Sequence, residues 1–278
     1  IGHGVVLDLH ENARSDIGVA IAASGMVNGT LVTTTYTSTL AIAPGTIVQE
    51  AIGTNYGDTI TGNDAGDLLI GGAGDDHLTG GAGNDVFVAR GGNDTIDGAG
   101  GINEADYTGA RGDYVITNSA TGLTVSDSQP GRDGTDTLAN VQRLKFADGW
   151  LAFDTSGDAG QAYRLYQAAF DRAPDQVGLG FWMHALDSGA ALQQVAQSFL
   201  DSAEFALRYG SVDPQQFVTQ LYANVLHRAP DPSGFAFHVG NLESGAIDRA
   251  GLLVQFSESP ENQAALIGVI HSGMAYVA

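Results

Sequence analysis

The chain has no cysteine and a single lysine, Lys145. Without cysteine there is no disulfide, thiolate metal site or thiol nucleophile, which fits an extracellular protein that takes its cross-links from metal instead. Basic residues are scarce, with 11 Lys and Arg against 32 Asp and Glu and a formal charge of −21 over 278 residues. That balance speaks against nucleic acid and anionic membrane as partners, since both need basic surface. No apolar run reaches the ~18 to 20 residues of a membrane helix, so no membrane insertion is expected. The seven histidines, His3, His10, His77, His184, His227, His238 and His271, stand singly. Only His10-Glu11 begins a His-Glu-x-x-His zinc helix, and no second histidine follows. A G-x-S-x-G elbow and a G-x-x-x-x-G-K phosphate loop are also missing, so the expectation is that this chain is not an enzyme. It opens at Ile1 on the strand-like residues Val5 to Leu9, without methionine, and reads as a piece of a longer protein.

Glycine and aspartate are present in phase. From Gly53 to Asp97 the blocks GTNYGDTIT, GNDAGDLLI, GGAGDDHLT, GGAGNDVFV and ARGGNDTID follow one another every nine residues. Asp58, Asp67, Asp76, Asp85 and Asp94 hold the sixth place, and Ile60, Leu69, Leu78, Phe87 and Ile96 hold the eighth. Six residues rich in Gly, Asn and Asp suffice for a tight turn, and three remain for a short strand with its central side chain facing in. Two blocks make one coil of a parallel roll, so blocks n and n+2 stack. Asp58 then lies near Asp76, Asp67 near Asp85, and Asp76 near Asp94.

Stacked carboxylates repel, and the stretch holds eight acidic residues against Arg90 alone. A hard cation with oxygen ligands resolves this; calcium suits such turns, whereas magnesium asks for a small rigid octahedron. The blocks resemble the G-G-x-G-x-D-x-U-x nonapeptide of RTX, or hemolysin-type, calcium-binding proteins. The resemblance implies calcium held by Asn55, Asp58, Asp64, Asp67, Gly72, Gly74, Asp76, Gly81, Gly83, Asp85, Gly92 and Asp94, in about three or more stacked sites. GRDGTDTLA (131–139) reads as one more degenerate block, adding Asp133 and Asp136.

The flanks read as strands. Residues 1–52 suggest short strands, notably Leu31 to Tyr36 and Leu40 to Ile42, with turns at Asn28-Gly29 and Pro44-Gly45. IVQEAIG (47–53) is similar to the strand leading into the C-terminal domain of serralysin-type secreted metalloproteases. Residues 98–117 and 122–128 suggest antiparallel strands that cap the open end of the roll.

Near Gly157 glycine thins out and apolar spacing turns helical, with Tyr163, Tyr166 and Phe170 on one face. LYQAAFDRAPDQVGLGFWMHALDSGA (165–190) matches LYANVLHRAPDPSGFAFHVGNLESGA (221–246), and both halves carry Arg-Ala-Pro-Asp with Gly three residues on. This duplicated region resembles the helical family known as DUF4214. Pro174 and Pro230 should end one helix, and Asp175 and Asp231 should cap the next. The aromatic pairs Phe181-Trp182 and Phe235-Phe237 are expected in a buried core.

The expected architecture is thus a multi-domain β plus α chain. A calcium-binding parallel β-roll with flanking strands fills residues 1–156, and an all-α duplicated helical domain fills 157–278. Family resemblance implies a secreted or cell-surface bacterial module exported by type I secretion machinery, which folds on external calcium and makes surface attachment or protein contact. Two alternatives stay open: the C-terminal part of a serralysin-type protease with its catalytic domain upstream, and a glycan-binding adhesin using the helical domain. The apolar tail LIGVIHSGMAYVA (266–278) suits either an export signal or a docked terminal helix.

Overall fold

A computed structural model describes the backbone of residues 3–27 and 30–278 and the side chains of residues 3–16 and 40–278. It divides into two compact units, Ile1–Trp150 and Leu151–Ala278, the first built of strands and the second mainly of helices.

In the first unit each nine-residue block is a turn followed by a strand. Successive strands alternate between two sheets, because one block carries the chain across the roll and the next carries it back. One sheet contains β1 (Val6–Asp8), β5 (Thr59–Thr61), β7 (His77–Gly81), β9 (Thr95–Ala99) and β13 (Thr135–Ala139). The other contains β4 (Glu50–Ile52), β6 (Leu68–Ala73), β8 (Val86–Gly91), β10 (Glu104–Asp106) and β14 (Arg143–Phe146). All these pairings are parallel, with Ile60 beside Leu78, Leu78 beside Ile96 and Ile96 beside Leu138. The facing sheet stacks Ala51, Leu69, Phe87, Ala105 and Leu144 in the same way. These two apolar columns are buried and form the core of the roll.

Three features depart from the sequence reading. First, the N-terminal part forms one long antiparallel hairpin, β2 (Arg14–Val27) with β3 (Thr30–Ala41), in place of short strands. The expected turn at Asn28-Gly29 lies outside the described residues. Second, residues 98–106 continue the roll as a further coil, since β10 runs parallel between β8 and β14. Within residues 98–128 the antiparallel hairpin is confined to β11 (Tyr114–Ser119) and β12 (Gly122–Asp127), and it extends β13 at the sheet's end. Tyr107, Tyr114 and Phe146 pack together beneath it, with ring centroids 5.1–5.6 Å apart. Third, the chain's C-terminal tail is split between a helix and a short strand, Met274–Tyr276.

The second unit is a helical duplication. Helices α1 (Asp158–Phe170), α2 (Gln176–Asp187), α3 (Leu192–Leu200) and α4 (Ala203–Tyr209) are followed by α5 (Pro214–Leu226), α6 (Pro232–Glu243), α7 (Arg249–Ser257) and α8 (Pro260–Ile270). Paired helices agree in length: α1 and α5 have 13 residues each, α2 and α6 have 12, and α3 and α7 have 9. At the centre the buried Asn224 amide of α5 donates to the Ala168 carbonyl of α1 at 2.9 Å.

The Arg-Ala-Pro-Asp motif is explained by packing in both halves. Asp175 and Asp231 cap α2 and α6, each accepting a hydrogen bond at 2.8 Å from the amide of Gly178 or Gly234. Arg172 lies 5.0 Å over the Tyr166 ring and Arg228 lies 5.2 Å over Tyr222, the same cation–π contact twice. A Cβ on Gly178 would stand 2.2 Å from the Tyr166 hydroxyl, and one on Gly234 would stand 2.4 Å from that of Tyr222. A side chain at either place would have to push the tyrosine hydroxyl aside. Asp175→Ala is expected to destabilise the helical unit by about 1 kcal/mol, the usual worth of an N-cap. Urea unfolding followed by helix signal checks this, and an unchanged midpoint would contradict the capping role.

The aromatic pairs are not simply core. Trp182 packs against Phe199 at 5.1 Å, but Phe181 and Phe237 are each 63% exposed. Helical spacing placed them on the α2 and α6 surfaces because the inward face of each helix is already taken by residues such as Met183 and Val239.

Candidate metal centre

The sixth place of each block lies at the junction of turn and strand, and there the side chain folds back toward the turn. Asp58, Asp67, Asp76, Asp85, Asp94 and Asp136 are all buried. They form two ladders, one along each edge of the roll. In the first, the amide of Asp58 donates to Asp76 Oδ1 at 2.7 Å, that of Asp76 to Asp94 at 2.7 Å, and that of Asp94 to Asp136 at 3.0 Å. Val5 starts this ladder by donating its amide to Asp58 at 2.6 Å. In the second, the Asp67 amide donates to Asp85 Oδ1 at 2.9 Å and the Asp85 amide donates to Asn103 Oδ1 at 2.9 Å.

Each Oδ1 is satisfied, that of Asp67 by the Asn63 side-chain amide at 3.3 Å, and the carboxylates differ in what happens to Oδ2. In Asp58, Asp67 and Asp85 it accepts from an amide four residues earlier, that of Thr54, Asn63 or Gly81. In Asp76, Asp94 and Asp136 the Oδ2 atom is buried with no hydrogen-bond partner. A buried carboxylate oxygen without a partner carries a large desolvation cost, so these three atoms call for a cation. Among the described residues no three Asp, Glu or His side chains converge. Carboxylates alone therefore do not complete a site, and main-chain carbonyls of the turns are further oxygens at hand.

Glycine leaves room for that. A Cβ on Gly71 would stand 2.2 Å from Asp76 Oδ2 and 3.1 Å from the Ala89 carbonyl oxygen. On Gly80 it would stand 2.1 Å from Asp85 Oδ2 and 2.9 Å from the Gly98 carbonyl oxygen. Carboxylate and carbonyl oxygens thus border the same small hollows, an all-oxygen donor set of the kind that hard cations prefer.

The family model described as RTX calcium-binding nonapeptide repeat (4 copies) matches residues 52–87 and 71–104. The chain carries RTX repeats. A domain of unknown function, DUF4214, matches residues 154–196 and 196–266. No curated protein matches the chain. The ion of the RTX roll is calcium, and the donor set just described fits it; when bound, it supplies the positive charge that the carboxylate ladders lack.

The remaining expected ligands fall in different places. Gly72 near the end of β6 and Gly74 and Gly92 in the turns have positive φ, and Gly81 and Gly83 face main-chain atoms of the preceding coil at Asn63 and Ala65. Asn55 and Asp64 are exposed on the turns. Asp133 stands apart from the ladders: its carboxylate accepts from the Thr108 amide and hydroxyl, both at 2.9 Å, and from the Tyr114 hydroxyl. It latches the end hairpin to the roll. Sequence reasoning missed Asn103 and Gln142, which continue the second ladder through the Asn103 amide donating to Gln142 Oε1 at 2.8 Å. The signal was available: carrying the nine-residue phase one block further puts Asn103 at the sixth place and Ala105 at the eighth.

Burial pushes the Asp76 carboxyl up to about 7, with the charges of Asp94 and Asp58 adding to the rise and the Asp58 amide opposing it. Burial likewise raises Asp67, Asp85, Asp94 and Asp136. A carboxyl raised above its unfolded value of about 3.9 favours the fold when protonated. That contribution is full at low pH and is lost as pH rises through the folded pKa. Asp127 and Glu204, depressed by Arg132 and Arg172, act the other way, but only as pH falls below the usual carboxylate range. Metal-free protein is therefore expected to lose roll stability between about pH 5 and 8. Calcium should remove the loss. Urea midpoints with chelator that stay flat or rise over this range would contradict the ladder electrostatics.

Proposed function

We propose that the calcium-binding module of this secreted chain is a folding switch. The polypeptide passes type I secretion machinery unfolded, the RTX roll closes on external calcium, and the helical unit then attaches the protein to a cell surface or to another protein. The observation that carries this reading is the set of buried, unpartnered Oδ2 atoms on Asp76, Asp94 and Asp136. Without a cation they oppose the fold, and with one they hold it, because metal-binding free energy becomes folding free energy. No helix among the described residues is long and apolar enough to cross a membrane. Phe181 and Phe237, exposed at matching places in the two helical repeats, support contact through the helical unit.

Limited trypsin digestion of the whole chain tests the switch. With chelator, cleavage is expected after Arg90, Arg111 and Lys145 in the roll, and millimolar calcium should suppress it. Arg164 should resist in both conditions, since it is buried in α1 and pairs with both Glu258 oxygens at 2.6–2.8 Å. The same fragments with and without calcium would overturn the proposal.

The reading as the C-terminal part of a serralysin-type protease is supported by one feature. IVQEAIG leads into the first coil, and its Glu50–Ile52 strand lies parallel to β6. A His-Glu-x-x-His segment in sequence upstream of Ile1 would decide for it, and a repetitive upstream region would decide against it.

A further inference from the structure

Asn103 sits at the sixth place of its block, where every earlier block has an aspartate, and its side chain keeps the same pose. Its Oδ1 accepts from the Asp85 amide at 2.9 Å, as Asp85 Oδ1 accepts from Asp67. Its second atom is what differs. Nδ2 shares its two hydrogens among three main-chain carbonyls, Gly98 at 2.9 Å, Gly100 at 2.8 Å and Asn140 at 2.9 Å. These bonds also fix which amide atom is nitrogen, because an oxygen could not face three carbonyls.

The hollow around Nδ2 is the counterpart of the one beside Asp85. A Cβ on Gly98 would stand 2.3 Å from Asn103 Nδ2 and 2.2 Å from the Asn140 carbonyl oxygen. A Cβ on Gly80 meets Asp85 Oδ2 and the Gly98 carbonyl oxygen at 2.1 and 2.9 Å. In one hollow a carboxylate oxygen, which accepts from the Gly81 amide at 2.9 Å, joins the carbonyls to make an all-oxygen set that suits a cation. In the other an N–H donor has replaced both the carboxylate and the cation.

We infer that the Asn103 amide stands in for a calcium ion and closes the second ladder, so that this edge of the roll takes fewer ions than the first edge, whose carboxylates run on to Asp136. The inference rests on the calcium reading of the repeats and adds where binding stops. Amides flank the second ladder at both ends: Gln142 follows Asn103, and Gln49 donates Nε2 to the Gly66 carbonyl at 2.9 Å. The two buried carboxylates between them are Asp67 and Asp85.

Asn103→Asp would replace the donor with an oxygen facing three carbonyls. The hollow then repels itself when empty and matches the metal-ready ones when filled. The experiment counts calcium per chain by equilibrium dialysis with elemental analysis, alongside thermal unfolding with and without chelator. Asn103→Asp is expected to bind one calcium more than the wild-type chain, and to unfold at lower temperature than wild type only when calcium is removed. The reverse variant, Asp85→Asn, is expected to bind one fewer while keeping its fold in calcium. An unchanged count in folded Asn103→Asp overturns the inference. Should Asn103→Asp fail to fold even in calcium, Asp85→Asn decides: an unchanged count, or a lost fold, overturns it. A wild-type chain that binds no calcium at all would instead sink the reading of the repeats on which the inference stands.

Discussion

Gly134→Ala is expected to destabilise the RTX roll by at least about 4 kcal/mol, a size reached only by a few mechanisms of which forced backbone separation is one. Gly134 has φ +78°, and a Cβ there would fall 1.6 Å from the Gly92 carbonyl oxygen of the coil below. A clash with main chain cannot be relieved by a rotamer change, so the coils must part. Gly131 provides a matched control three residues earlier. Its φ is +77°, nearly the same, yet nothing lies within 4 Å of its Cβ position. Gly131→Ala should cost only the left-handed backbone strain, about 1 kcal/mol. Denaturant unfolding of both variants in saturating calcium measures the difference. Similar losses would mean that coil-on-coil contact at β9 and β13 is not as close as described.

Asp76→Ala is expected to raise the calcium concentration needed for half-folding by roughly tenfold or more, equivalent to about 1.4 kcal/mol or above. Asp58→Ala should shift it much less. Asp76 stands between two carboxylate neighbours, accepting from the Asp58 amide and donating its own to Asp94. Its Oδ2 has no protein partner and is free for the metal. Asp58 begins the ladder after Val5, and its Oδ2 already accepts from the Thr54 amide at 2.5 Å and the Thr54 hydroxyl at 3.1 Å. Losing Asp58 therefore removes hydrogen bonds that exist without metal, whereas losing Asp76 removes a position that only metal satisfies. Equal midpoints for the two variants in a calcium titration would contradict the order of the ladder.

The roll was legible in the sequence because its physics is local and periodic. A turn needs glycine at set places, a three-residue strand has one inward side chain, and both constraints recur every nine residues through Ile60, Leu69, Leu78, Phe87 and Ile96. Asp136 could be suspected from its own block. Its place above Asp94 could not be counted, because the Tyr114–Asp127 hairpin intervenes between the two coils and the ladder resumes beyond it. Asn103 escaped notice because an amide at the sixth place breaks the aspartate pattern while keeping the geometry. The long β2–β3 hairpin was read as short pieces because its small residues give no strong alternation, and the register shift between Asp16 and Ala20 interrupts what there is. In the helical unit the duplicated motif showed the caps at Asp175 and Asp231, while the exposure of Phe181 and Phe237 depends on which helix faces meet and is not written in their spacing.

The most direct test of calcium-closed carboxylate ladders is to strip the whole chain with chelator and titrate calcium back while recording circular dichroism and heat. The account predicts that β signal and heat appear together in a cooperative step, on a helix signal already present at the start. A chain whose β signal is complete before any calcium is added would contradict it, since the buried oxygens of Asp76, Asp94 and Asp136 would then be tolerated without a cation.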